Sequence, residues 1–265
     1  MASLSRFSLD AKYALVIGGT SGIGKAIARG YLEAGARVIV AGRDSEKLGR
    51  ALADLAPHGE VYGYQADVSD QAGLRGLVGI TLAHHGRIDV LVNCQGITLL
   101  KAAEEFTPED WDMIINTDLK SVFFACTEVG RHMLGRGSGA IVNIASLASH
   151  RGWPRSALYA IAKTGVLSLT QTLAAEWAAR GVRVNAISPG FFMTELNRAT
   201  RCHRNAKRWR SRARLPAALA RSMNWSAQPF ILRRRPPLLS PAKRLRWTAA
   251  FWQAAFNRPA RRRAC

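Results

Sequence analysis

Cysteine is scarce in this chain. The 265 residues hold four, Cys94, Cys126, Cys202 and Cys265, at spacings that suit neither a metal site nor a disulfide framework. A disulfide-stapled secreted domain and a zinc module are thereby excluded, and a reducing cytosol fits. No apolar run reaches the roughly 18 residues of a membrane span. The N-terminal M-A-S-L-S-R-F-S-L-D lacks the apolar centre of a secretory signal. The expectation is a cytoplasmic protein with no membrane partner, and no internal repeat is visible. The most uneven absence is of acid: Arg198 to Cys265 contains nineteen Lys/Arg and no Asp/Glu. The net charge of +20 would by itself suggest nucleic acid. Residues 1–197, however, carry nineteen basic against eighteen acidic side chains, a net of +1. The body therefore has the nearly neutral surface of an ordinary enzyme, and no specific nucleic-acid partner is expected of it.

What is present is a carbonyl–alcohol redox signature. Tyr159 and Lys163 stand four apart in Y-A-I-A-K, on one face of a helix, and Ser146 lies thirteen residues before the tyrosine. A phenol is a poor base at neutral pH, and an adjacent ammonium favours its phenolate. A serine hydroxyl at the end of the strand-like G-A-I-V-N-I-A-S can hold the substrate oxygen. Because a Tyr-x3-Lys pair alone is common on helices, the trio gains meaning from what lies upstream. Residues 12–24 read K-Y-A-L-V-I-G-G-T-S-G-I-G, an apolar strand breaking into a glycine turn and then a helical pattern. Gly18, Gly22 and Gly24, with Thr20, Ser21 and Ile23 between them, would let the backbone approach a pyrophosphate seated on the helix N-terminus.

Strand patterns at 12–17, 37–41, 60–65, 89–93, 139–145 and 182–187 alternate with helical patterns at 23–34, 44–55, 70–85, 108–134 and 157–179. Such alternation predicts an α/β fold, a doubly wound parallel sheet of about six strands with helices on both faces. Thr107-Pro108-Glu109 marks a capped helix start, and Gly181 a helix stop. Two segments are expected, a Rossmann-type domain over 1–197 and a basic tail over 198–265 without an independent fold.

Residues 7–197 resemble the short-chain dehydrogenase/reductase family. The glycine turn, Asn93-Cys94-Gln95-Gly96 as N-x-x-G, the Ser146/Tyr159/Lys163 trio and Pro189-Gly190 occur in the family's order. The resemblance implies an NAD(P)-dependent oxidoreductase of a small alcohol, sugar acid or 3-oxoacyl substrate. It implies catalytic roles for Ser146, Tyr159 and Lys163, with Tyr159 and Lys163 also on the cofactor, joined by Asn93, Gly96, Pro189 and Gly190. Asp67-Val68 would bracket the adenine. After the second strand, Gly42 offers no carboxylate to a ribose, and Arg43 suits a 2′-phosphate. NADP is thus favoured over NAD. Two departures stand out. Asp118, a catalytic candidate, takes the place of the asparagine that in the family helps order a water near the lysine, and Y-A-I-A-K replaces the common Y-x-A-S-K. The resemblance also implies a homodimer through the helices at 108–134 and 157–179, using Val122, Phe123, Leu167 and Leu169. A tetramer is not expected.

Beyond Asn197 the pattern collapses into Arg, Ala, Pro and Trp. A functional reading is a basic, aromatic nucleic-acid arm on a nonenzymatic Rossmann scaffold. The other is a translated frameshift, which the genetic code can test. Reading one base back, Trp247-Thr248 forces aspartate, Phe251-Trp252 leucine, Trp252-Gln253 alanine, Met223-Asn224 glutamate and Asn224-Trp225 leucine. Neighbouring codons permit G-R-F-G, V-T-G-Q and V-D-G-G in this order, as in the family's C-terminal part. The slip is placed near residues 197–204, and it makes the activity of this form doubtful.

Overall fold

In the computed structural model, described here for residues 8–190 and Phe192, six strands form one parallel sheet. They are β1 (Tyr13–Ile17), β2 (Arg37–Gly42), β3 (Val61–Gln65), β4 (Val90–Asn93), β5 (Gly139–Ile144) and β6 (Val182–Ile187). Their order is β3-β2-β1-β4-β5-β6. β1 pairs with β2 on one side and β4 on the other, with Ile17 opposite both Ala41 and Asn93. The chain reverses its winding direction between β1 and β4, and the crevice beyond the carboxyl ends of these strands is where a doubly wound sheet binds ligands.

Side chains alternate along each strand, so a sheet covered on both faces needs apolar residues at every position. Ala14, Val16, Val38, Val40, Val90, Val92 and Val142 face one layer of helices. That layer holds α1 (Gly22–Glu33) and α2 (Ser45–Leu55), whose Ile27, Tyr31, Leu48 and Leu55 complete the packing. Leu15, Ile17, Ile39, Leu91 and Ile141 face the other. There α3 (Gln71–His85), α5 (Ser121–Gly135) and α6 (Ala157–Trp177) contribute Leu74, Val129, Met133, Val166 and Trp177. The remaining helix is α4 (Pro108–Ile115).

The expected strands and helices are found, with boundaries moved by a residue or two, and one helix differs in kind. The expected single helix over 108–134 is broken by a π-helical turn at Asn116–Lys120, where the Ser121 N–H donates to Asn116 O five residues back. Such turns occur often at functional sites, and here the turn holds the fully buried Asp118. Thr107 caps α4 by accepting the Asp110 N–H, with Pro108 in the first turn. Gly181 ends the α6 segment at φ +82°, where an added Cβ would lie 1.9 Å from Gly137 O. Val122, expected on a dimer face, is instead in the core beside Ala125 and Val129, because its side of α5 lies on the sheet. Leu167 and Leu169 are half-buried against the same core, whereas Phe123 is exposed. Everything expected beyond Phe192, including the end of the first segment and the whole tail, lies outside the described residues.

Candidate active site

The glycine turn occupies the crevice between β1 and β4. Gly18 adopts φ +75°, and its N–H donates to Ala41 O at 2.9 Å. A Cβ there would come within 2.7 Å of Gln95 N, and a Cβ on Gly24 within 2.2 Å of Gly18 O. Only glycine allows the turn to lie this close to the segment after β4. Gly22 also has positive φ, +52°. Ser21 is the N-cap residue of α1 but makes no side-chain cap bond, and the first turn contains no acid. No side-chain cap or acid thus competes with an anion at this helix N-terminus. These features fit a dinucleotide pyrophosphate. Thr20 is packed against Gly42, where a Cβ would meet Thr20 Cγ2 at 2.7 Å. The structure thus adds a steric reason for glycine at the end of β2. Ile23 packs against the core below the turn.

The adenosine end would lie by Arg43 and Asp67. Arg43 is exposed, its carbonyl accepting Gln65 Nε2 at 3.0 Å. Asp67 accepts the Ser69 hydroxyl at 2.6 Å and the Ser69 N–H at 2.9 Å. Those bonds, then the charge of Arg43, hold its carboxyl below the ordinary value. Val68 packs inward on the core.

On the other side of the crevice, α6 delivers Tyr159 and Lys163. The Lys163 ammonium lies 5.8 Å from the centroid of the Tyr159 ring and donates to Gln95 O at 3.2 Å. Its residue is only 4% exposed. Asp118, fully buried, accepts the Ile97 N–H through Oδ1 at 2.8 Å and sets Oδ2 3.5 Å from Lys163 Nζ. At that length the attraction between Oδ2 and the ammonium is chiefly Coulombic. Gly96 makes room for it: a Cβ would sit 2.9 Å from Asp118 Oδ2 and 3.1 Å from Lys163 Nζ. Burial pushes the Asp118 carboxyl above the ordinary carboxylate range, with Lys163 and the Ile97 N–H pulling back. Burial also opposes the charge on Lys163, but Asp118, Tyr159 and Cys94 outweigh it and hold the ammonium's pKa above the ordinary value.

Ser146 lies just past β5 and is half-buried. Its Oγ accepts the Ala148 N–H at 3.1 Å, which leaves the hydroxyl hydrogen free to donate. The segment is anchored to its surroundings by Leu147 N–H to Pro189 O at 3.0 Å and by His150 Nε2 to Ser188 Oγ at 2.9 Å. Pro189 thereby ties the end of β6 to the serine, and Gly190 follows exposed.

Asn93 is placed differently from the other site residues. Its side chain turns into the protein, donating to Asn143 Oδ1 at 2.8 Å and to Cys126 Sγ at 3.3 Å. Its side chain is buried. Sequence reasoning overlooked the two residues between Asn93 and Gly96. Gln95 receives Lys163 on its carbonyl and donates Nε2 to Ser121 Oγ at 3.0 Å. Burial pushes the Cys94 thiol up to about 11, against the pull of Lys163 and the Gly24 N–H. Their position inside the N-x-x-G was the available signal.

A family model described as short chain dehydrogenase matches residues 12–205. D-threitol dehydrogenase of Mycolicibacterium smegmatis is 42% identical over 191 residues, 72% of this chain and 74% of that protein. A 3-oxoacyl-(acyl-carrier-protein) reductase of Chlamydia pneumoniae is 38% identical over 191 residues, 71% of this chain and 77% of that one. The crystal structure of a gluconate 5-dehydrogenase from Burkholderia cenocepacia J2315, in complex with NADP and tartrate, superposes with a TM-score of 0.79 at 34% identity. It covers 87% of this chain and 91% of its own. The family model over residues 12–205 and relatives of this identity over about three quarters of their length show that this protein belongs to the short-chain dehydrogenase/reductase family.

Proposed function

We propose that, in this NAD(P)-dependent oxidoreductase of small alcohols and ketones, Tyr159 exchanges a proton with the substrate oxygen while Ser146 donates a hydrogen bond to that oxygen. Lys163 stabilises the phenolate and holds the nicotinamide ribose hydroxyls. The dinucleotide, when bound, supplies or accepts the hydride. One observation carries this reading: the buried Lys163 ammonium stands beside the Tyr159 ring at the crevice where the glycine turn opens. The turn residues Gly18 to Gly24 would hold the pyrophosphate, Arg43 a 2′-phosphate, and Asp67-Val68 the adenine. The gluconate 5-dehydrogenase structure holds NADP, which supports NADP over NAD here. Threitol, gluconate and 3-oxoacyl relatives support a polyol, sugar acid or 3-oxoacyl substrate.

We further infer that the coding frame slips near residues 197–204. The family match ends at residue 205, and the D-threitol dehydrogenase match covers 191 residues of this chain and only 74% of that protein. Both observations support the forced codons. The free thiols of Cys94 and Cys126 suit the cytosol. Among the described residues no helix is long and apolar enough to cross a membrane. The test is to assay the chain as written and its frame-restored form on sugar acids, polyols and 3-oxoacyl esters with both cofactors. The restored form should turn over, and Tyr159→Phe should lower its rate by at least about 10²-fold, the low end for a general acid–base group. Equal activity of the two forms would show that the tail is not the defect, the nucleotide sequence around codons 190–210 decides the frame itself, and activity untouched by Tyr159→Phe would refute the site.

A further inference from the structure

We propose that Asp118 is a positioning residue that acts through Lys163: its carboxylate shares the lysine ammonium with Tyr159 and so sets the pH at which the tyrosine can act as a base. The proposal rests on the assignment of Tyr159 as the proton-exchanging group.

The geometry is that of a counter-ion. The π-helical turn carries Asp118 into the site, where its residue is fully buried and Oδ1 is fixed by the Ile97 N–H. Oδ2 faces the Lys163 ammonium at 3.5 Å with no other polar partner, although it is buried. Lys163 Nζ has the Gln95 carbonyl on another side and the Tyr159 ring 5.8 Å away. An asparagine of the same shape would preserve the bond to Ile97 N–H while leaving the ammonium's full charge to the tyrosine. With aspartate the two buried charges offset each other, and a phenolate on Tyr159 gains less from the pair. A buried charge pair of this kind is held by orientation on both sides, here by the Ile97 N–H and the Gln95 carbonyl.

The groups facing the pair are few. From the end of β4 comes the Cys94 thiol, pushed by burial up to about 11 and so uncharged at neutral pH. From α6 itself come Tyr159 and Lys163. His150, from the segment after β5, is exposed and bonded to Ser188 Oγ. Asp112 of α4 and Lys120 of the π-helical turn are exposed. No other charged group competes for the ammonium among those that act on it.

The test reads Tyr159 directly, in the full chain, so that it does not depend on turnover. With Cζ-labelled tyrosine, the five tyrosines are followed by NMR against pH, and Tyr159 is assigned by its loss in Tyr159→Phe. In Asp118→Asn the phenolate of Tyr159 should appear at a pH lower by about one unit, the low end of the effect of a charge a few ångströms away. Asp118→Glu, which keeps the charge, should stay near the parent midpoint. A purely structural role for Asp118 would leave the midpoint unmoved by the amide, and that result, or a shift upward, overturns the proposal. NADPH fluorescence confirms that each variant keeps its fold. Should the amide variant lose NADPH binding, Asp118→Ser, also uncharged and able to accept the Ile97 N–H, carries the same comparison. Failure of the underlying assignment shows separately, as turnover of the frame-restored enzyme that survives Tyr159→Phe.

Discussion

At the scale of single residues, cofactor choice turns on Gly42 and Arg43. A dinucleotide without a 2′-phosphate is recognised by an acidic side chain at the end of β2. Here that position is pressed against Thr20, with only 2.7 Å for a Cβ, so an aspartate would have to displace the threonine. The exposed Arg43 next to it is near enough to Asp67 for its charge to help lower that carboxyl. NADPH should therefore bind more tightly than NADH, and Arg43→Ala should remove most of the difference, by roughly tenfold, as for a charge-assisted hydrogen bond worth about 1.5 kcal/mol. Fluorescence titration with both cofactors checks this. Tighter NADH binding that Arg43→Ala leaves unchanged would refute it. The arginine was legible in the sequence, but the steric role of Thr20 was not, because it depends on β1 and β2 lying side by side.

At the scale of elements, the helix ends show how far local chemistry carries. Asp44 caps α2 by accepting the Lys47 N–H at 2.9 Å, and that bond holds its carboxyl below the ordinary value. Asp54 is lowered by its hydrogen bond to Lys25, and Asp110 by Lys101 and then Thr107. Each of these binds its proton more readily in the unfolded chain. The stability they contribute is present above the ordinary aspartate pKa and is lost as pH falls through the folded values. The melting temperature should accordingly drop as pH falls from about 4, the unperturbed aspartate range. Thermal scans of the parent and of Asp44→Ala should show the smaller drop in the variant, alongside its lower stability at neutral pH. A variant with the parent's full acid dependence would contradict this. The cap at Thr107 and the stop at Gly181 could be read from the sequence because such signals act over three or four residues. The π-helical turn could not, since N-T-D-L-K has no local feature that demands an extra residue in the turn. What stabilises it lies far along the chain, in Ile97 and Lys163.

At the scale of the whole molecule, assembly is the open consequence of the surface. α4, α5 and α6 leave Trp111, Met113, Phe123 and Ile161 each more than 40% exposed, among the few large apolar side chains so placed. Apolar side chains of this size on α4, α5 and α6 suit the isologous dimer we propose through these helices. Phe123, not Val122, is the residue to change. Light scattering should give a dimer or larger aggregate, and Phe123→Glu should shift the dimer toward monomer. A sharp tetramer peak would contradict the expectation. β6 closes one edge of the sheet among the described residues, with β5 as its one strand neighbour there.

The alternation of apolar strands and amphipathic helices, the glycine turn and the Tyr159/Lys163 spacing determined the fold class and the reaction type from sequence alone. Each of these is written in short-range periodicity or in backbone demands that only certain residues meet. The tertiary structure decided what those residues face. It turned the Asn93 amide away from the crevice toward Asn143, brought the Gln95 carbonyl to Lys163, and set the Asp118 carboxylate against the same ammonium. These contacts join residues 45 to 68 positions apart or lie across neighbouring strands. They arise from the packing of α6 and the π-helical turn over the ends of β4 and β5, which no local pattern encodes.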